Sequence, residues 1–153
     1  MILDKIDRSI LVALQANGRI TNVDLAGRVN LSEAACLRRV RALEEQGFIA
    51  GYVALVNPKQ VGLPASAFVQ ITLQQEQQKD LEAFEKAIGA IPEVMECHLM
   101  TGDFDYLVRV VVADIGDFER IHRRYLTNLP GVARVHSSFA LRTVTKKTAL
   151  PLV

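Results

Sequence analysis

Residues 21–51 read TNVDLAGRVNLSEAACLRRVRALEEQGFIAG, and their spacing predicts two helices joined by a sharp turn. Cys36, Val40 and Leu43 stand at i, i+4 and i+7, the inward stripe of an amphipathic helix. Ala34, Arg38, Arg41 and Glu45 fall on the opposite side, with Arg39 at the margin. Thr21 and Ser32 each precede a helical pattern as N-caps, since a side-chain oxygen can accept from N–H groups that a first turn leaves unpaired. The interval from Val29 to Ser32 leaves room only for a tight connection, as helix-turn-helix units require. A second helix that opens on small residues and carries outward arginines can approach a DNA groove closely. In that reading Ser32 and the first backbone N–H groups of the helix position a phosphate. Arg38 is the first candidate for base readout and Arg41 the second. Arg39, nearer the packed side, suits a phosphate contact. A bidentate arginine–guanine pair discriminates by roughly 1–3 kcal/mol, whereas a phosphate contact adds salt-dependent affinity. A merely solvated helix face would need neither the caps nor the tight turn.

Outward from this stretch, Asp4 caps an earlier helix with Asp7 in its first turn, and Ile6, Ile10, Leu11 and Leu14 mark its apolar face. Asn17-Gly18 stops it. On the other side, Gln46-Gly47 ends the arginine helix. Residues 48–55 are apolar and aromatic enough for a strand or small hairpin, the part a winged variant adds. Three short helices bury only a modest core, so this unit needs support from the remainder or from a partner. Residues 57–65, NPKQVGLPA, form the linker.

From Ala65 the period changes to two. Ala67, Val69, Ile71 and Leu73 share one strand face against Ser66, Phe68, Gln70 and Thr72. Leu81, Phe84 and Ile88 mark a helix. Val94 to Met100 is strand-like, a turn at Gly102-Asp103-Phe104-Asp105 follows, and Tyr106 to Val112 is a strand. Asp114 caps a second helix with inward Phe118, Ile121, Tyr125 and Leu129, and a last strand spans Val132 to Leu141. Ile91-Pro92-Glu93-Val94 after the first of these helices is echoed by Leu129-Pro130-Gly131-Val132 after the second. The order β-α-β-β-α-β is ferredoxin-like, a four-stranded antiparallel sheet backed by two helices. Its free face contains aliphatic residues, which predicts a second copy covering it.

Totals exclude more than they assign. The 153 residues, 50% hydrophobic and 23% charged, describe an ordered chain of one domain or two small ones. Residues 1–60 hold eight basic against six acidic side chains, and the rest ten against eleven, so a nucleic-acid reading rests on placement rather than net charge. Cys36 and Cys97 each sit in an apolar pattern and read as free core thiols, with no disulfide or metal framework. Cys97 and His98 point to opposite faces of a strand, and His122 and His136 lack ligand spacing, so no metal and no cofactor are expected. There is no signal-peptide pattern and no apolar run long enough to span a bilayer, which points to a cytoplasmic protein without membrane partners. The turn at Gly102 has two readings. One is a plain hairpin connection; the other is a small-molecule pocket of backbone groups and two carboxylates, able to answer the charges of an amino acid. No nucleophile–base pair accompanies it, so no catalytic residues are assigned and an enzyme is not expected.

Taken together, LDKIDRSILVALQANGRITNVDLAGRVNLS, CLRRVRALEEQGFIAGYVALVNP, ECHLMTGDFDYLVRVVV and the later LPGV resemble the leucine-responsive regulatory protein/AsnC (Lrp/AsnC, feast/famine) family over nearly the whole chain. CLRRVRALEEQGFI and TGDFDYL look more like its leucine-responsive branch. The resemblance implies an α+β chain with an N-terminal winged helix-turn-helix over residues 1–56, a linker over 57–65 and a ferredoxin-like oligomerisation and effector domain over 66–153. It implies a transcriptional regulator whose partners are double-stranded DNA, further copies of itself in dimers assembling to octamers, and an amino acid or related metabolite bound between regulatory domains. Carried onto this chain, the DNA-facing residues are Ser32, Arg38, Arg39 and Arg41. The effector turn is Thr101, Gly102, Asp103, Phe104 and Asp105. The alternative within the family is a global architectural protein that wraps DNA with little sensing. One departure stands out: the leucine-responsive branch often has Ser-Pro where this chain has Ser32-Glu33. That removes a rigid first helical residue and puts a negative charge near the phosphate path.

Overall fold

The computed structural model describes Ile2–Leu152, which forms two compact units. One comprises the residues up to Leu55 together with the tail from Val144; the other is Val56–Thr143. Met1 and Val153, which bound the expected domains, lie outside the described residues.

The first unit contains α1 (Lys5–Ala16), α2 (Asn22–Val29) and α3 (Glu33–Glu45). Each begins on the cap its sequence announces: Asp4 accepts from Asp7 N–H, Thr21 from Asp24 N–H and Ser32 from Ala35 N–H. The turn between α2 and α3 is made by Asn30, left-handed at φ 55°, a conformation asparagine tolerates better than most residues. Asn22 Nδ2 donates to Glu33 O at 2.9 Å and ties the start of α2 to the start of α3. Ile10, Leu11, Leu25, Ala26, Cys36 and Leu43 are buried together, so the expected inward stripe of α3 faces the core, with Val40 partly buried beside it.

Two features differ from expectation. Residues 48–55 contain no strand: Phe48 and Ile49 close the end of α3 by donating to Leu43 O, and the chain then runs without ladder partners. A strand needs a neighbour for its N–H and C=O groups, and the described residues supply none there. The tail was expected to belong with the second domain but returns to the helical unit. Gln15 exchanges two hydrogen bonds with the backbone of Leu150, at 2.6 and 3.1 Å, and Leu152 packs on the helical core.

The second unit is the ferredoxin-like fold: β1 (Ala65–Leu73), α4 (Gln78–Gly89), β2 (Val94–Leu99), β3 (Tyr106–Val112), α5 (Ile115–Arg124) and β4 (Val132–Phe139). The sheet order is β2-β3-β1-β4, every pairing antiparallel. Strict alternation gives β1 and β3 their two faces. Ala67, Val69 and Ile71 are buried opposite Val110, Val108 and Tyr106, under Phe84, Ile88, Phe118 and Ile121 from the helices. Phe84 lies 4.4 Å from the Tyr106 ring, centre to centre. The helix α5 is shorter than its apolar pattern suggests. It stops at Arg124, and a 3-10 turn, Leu126–Asn128, carries Leu129 back into the core.

Candidate nucleic-acid interface and effector turn

The outward side of α3 carries Ala34, Arg38, Arg41 and Glu45, all exposed. Arg38 and Arg41 stand one turn apart, and among the described residues neither makes an ion pair or hydrogen bond with the chain. Their guanidinium donors are therefore free for an external acceptor. Ser32 uses its hydroxyl oxygen to accept from Ala35 N–H at 3.3 Å, which leaves its O–H free to donate to a phosphate. Glu33 is exposed in the first turn, where its charge suits the helix dipole but not a phosphate.

Arg39, expected at a phosphate, has partners within the chain. Its Nη1 donates to Asp4 Oδ2 at 2.7 Å and to Asp7 Oδ1 at 2.8 Å, and its side chain is 31% exposed. Asp7 is buried, and its other oxygen completes a reciprocal capping box with Asp4 at the start of α1. These contacts have the expected electrostatic effects. The hydrogen bond from Asp7 N–H, then that from Arg39, holds the Asp4 carboxyl below its ordinary value, while Asp4 and Asp7 push the guanidinium up. Asp4 and Asp7 were legible as a cap. Their partnership with Arg39 was not, because no local period links residues so far apart.

At the second candidate site, Gly102 adopts φ +113°, a conformation other residues rarely take. Thr101, Gly102 and Asp103 are exposed, and Phe104 and Asp105 are half-buried. Asp105 is tied to the sheet. Its carboxylate accepts from Leu73 N–H at 2.7 Å, its N–H donates to Ile71 O and its C=O accepts from Met100 N–H. That fastens the turn to the end of β1, one oxygen of the carboxylate having a structural partner. Nearby, Cys97 is half-buried, with its thiol pushed up to about 11 by burial and then by Glu85, so it is almost wholly protonated at neutral pH.

A family model described as a winged helix-turn-helix DNA-binding domain matches residues 3–50, and one described as the Lrp/AsnC ligand binding domain matches residues 66–150. The leucine-responsive regulatory protein of Escherichia coli strain K12 is 43% identical over 148 residues, 97% of this chain and 90% of that protein. The chain belongs to the Lrp/AsnC family. Solved Lrp/AsnC-like structures superpose over both units. A transcriptional regulator from Neisseria meningitidis in complex with L-Met has a TM-score of 0.94 at 38% identity, covering 99% of this chain and 97% of that one. An AsnC family regulator from Agrobacterium tumefaciens also gives 0.94, at 37% identity, covering 98% and 97%. Membership makes the chain a DNA-binding transcriptional regulator of the helix-turn-helix type.

Proposed function

We propose that this Lrp/AsnC regulator binds operator DNA as a symmetric oligomer, with α3 of each subunit in the major groove, and that an amino acid at the turn around Gly102 changes its assembly or DNA affinity. The observation that carries the DNA part is the pair Arg38 and Arg41, exposed and unpaired on the outward face of a capped helix. Arg38 reads a base edge, Arg41 supports it, and Ser32 with the first N–H groups of α3 holds a phosphate. Paired half-sites about 34–36 Å apart would match two such helices.

Oligomerisation is supported by the sheet face opposite the helices. There Phe68, Leu107 and Val111 remain at least partly exposed in the single chain, on the alternate positions of β1 and β3. An amino-acid effector is supported by the Neisseria relative, solved with L-Met, and by the match of the ligand-domain family model. The turn supplies one wall of such a site, with the open backbone of Gly102 and the Asp103 carboxylate available to a carboxylate and an ammonium respectively. Linkage then sets the rule: the effector shifts DNA binding only by the difference in its affinity for the available assemblies.

The test begins with selection of a duplex from a random library by the full chain. The enriched duplex is then titrated with and without each free amino acid, and assembly is followed by light scattering. Enrichment of a two-fold symmetric site, with one amino acid moving both affinity and assembly, is the expected result. No enrichment overturns the sequence-specific reading, and enrichment that no amino acid alters overturns the sensing part.

A further inference from the structure

The capping box at the start of α1 consumes one oxygen of each aspartate. Asp4 Oδ1 accepts from Asp7 N–H at 2.7 Å, and Asp7 Oδ2 accepts from Asp4 N–H at 3.2 Å. The remaining oxygen of each takes a hydrogen bond from the same Arg39 nitrogen. One guanidinium therefore joins the first turn of α1 to the middle of α3. Asp7, 4% exposed, is the buried charged residue of the described core. A carboxylate that far from water is tolerated only when its charge and its hydrogen-bonding capacity are answered; Arg39 answers the charge and one oxygen, and Asp4 N–H the other.

Polar contacts at the ends of α3 come from Asn22 Nδ2, which donates to the Glu33 carbonyl, and from Tyr52 O–H, which donates to Glu44; between them the contacts that seat the helix, Arg39 apart, are apolar. Cys36 and Leu43 pack against α1 and α2 in a cluster whose attraction is non-directional, so it resists separation of the helices more than rotation of α3 about its own axis. A charged donor held by two fixed oxygens resists rotation. Arg38 precedes Arg39 by one residue, about 100° around the helix, and Arg41 follows two residues later. An azimuth fixed at Arg39 is fixed at both.

We propose that Arg39 is a positioning residue for DNA recognition: through Asp4 and Asp7 it sets the rotation of α3, and with it the direction in which Arg38 and Arg41 reach the groove. This rests on the DNA-binding reading above and assigns Arg39 a task within it that is not contact with the duplex. A phosphate contact at Arg39 would show as equal losses on every sequence, with the salt slope reduced by about one. An Asp4 that only repelled the duplex would, once neutralised, let every sequence bind more tightly. Positioning requires the reverse of both.

The experiment uses the full chain, the selected duplex and a scrambled duplex of the same length and composition. Wild type, Arg39→Met and Asp4→Asn are titrated by fluorescence anisotropy over a salt series, with thermal unfolding recorded in parallel. Asparagine caps helices about as well as aspartate, so Asp4→Asn keeps α1 started while weakening the link to Arg39. The expected result is a fall of about thirtyfold or more in preference for the selected duplex in both variants, the low-end cost of one displaced base contact in each of two subunits. The salt slope of Arg39→Met stays at the wild-type value, and Asp4→Asn binds the selected duplex more weakly although it has lost a negative charge. A slope reduced by about one in Arg39→Met, or a preference unchanged in Asp4→Asn, overturns the proposal. Should Arg39→Met fail to fold, Asp4→Asn decides alone. Failure of the underlying DNA-binding reading is distinct: wild type itself would show no preference between the two duplexes, and both readings would fall.

Discussion

Replacing Arg38 with alanine separates recognition from stability more cleanly than any other change on α3. The Arg38 side chain is exposed and, among the described residues, pairs with nothing, so its loss leaves no orphaned acceptor and opens no cavity. Alanine is also the better helix former. Stability should therefore stay within about 0.5 kcal/mol of wild type, the usual range for such surface changes. Binding is another matter. One bidentate contact to guanine discriminates by roughly 1–3 kcal/mol, and a symmetric dimer makes it twice, so the selected operator should weaken by about 2–6 kcal/mol per dimer. A scrambled duplex loses only the electrostatic share of one charge per subunit and should weaken far less.

The assay is a pair of anisotropy titrations at one fixed salt concentration, with unfolding followed by circular dichroism on the same preparation. A large loss on the operator, a small one on the scrambled duplex and an unchanged melting temperature is the expected pattern. Equal proportional losses on both duplexes would refute base readout by Arg38 and reduce it to one more positive charge. A drop in melting temperature of several degrees would refute the claim that the residue is unpartnered.

Three further outcomes test the second unit. Phe84 is fully buried against Tyr106, so Phe84→Ala should cost about 3–5 kcal/mol in denaturant unfolding of that unit. At Gly102 a Cβ would meet open space, so the cost of Gly102→Ala is conformational, about 1–3 kcal/mol from φ +113°. The substitution should also abolish the response to the effector in a thermal-shift screen, and a retained response would remove this turn from the site. Asp117 accepts from Ala113 N–H and pairs with Arg120, which together hold its carboxyl below the ordinary aspartate value. Near and below that value the unfolded chain binds the proton first, so this stabilisation is present above about pH 4 and lost as the pH falls further. Melting temperatures of Asp117→Asn should accordingly decline less steeply than wild type below about pH 4.

The parts of the fold that were legible are those in which one residue's neighbours lie a fixed number of positions away. The alternation in β1 put Ala67, Val69, Ile71 and Leu73 on one face, and that face is the buried one, because successive side chains of a strand point to opposite sides. Capping by Asp4, Thr21, Ser32 and Asp114 was legible for the same reason, since donor and acceptor are three positions apart. What local spacing missed depends on partners at long range. Residues 48–55 have strand composition but no ladder partner among the described residues, and the tail is held by Gln15 far upstream. Asp105, read as a ligand carboxylate, is held by the N–H of Leu73 across the sheet. The arginines of α3 make the point most sharply. Arg38, Arg39 and Arg41 are alike to any pattern that counts charge, and periodicity places Arg39 only at the margin of the inward face. The aspartates 35 and 32 positions upstream divide their labour, since Arg39 already answers two carboxylates, one of them buried, while Arg38 and Arg41 answer none. On the proposed reading, contact with the duplex therefore falls first to Arg38 and Arg41, the two with nothing to give up.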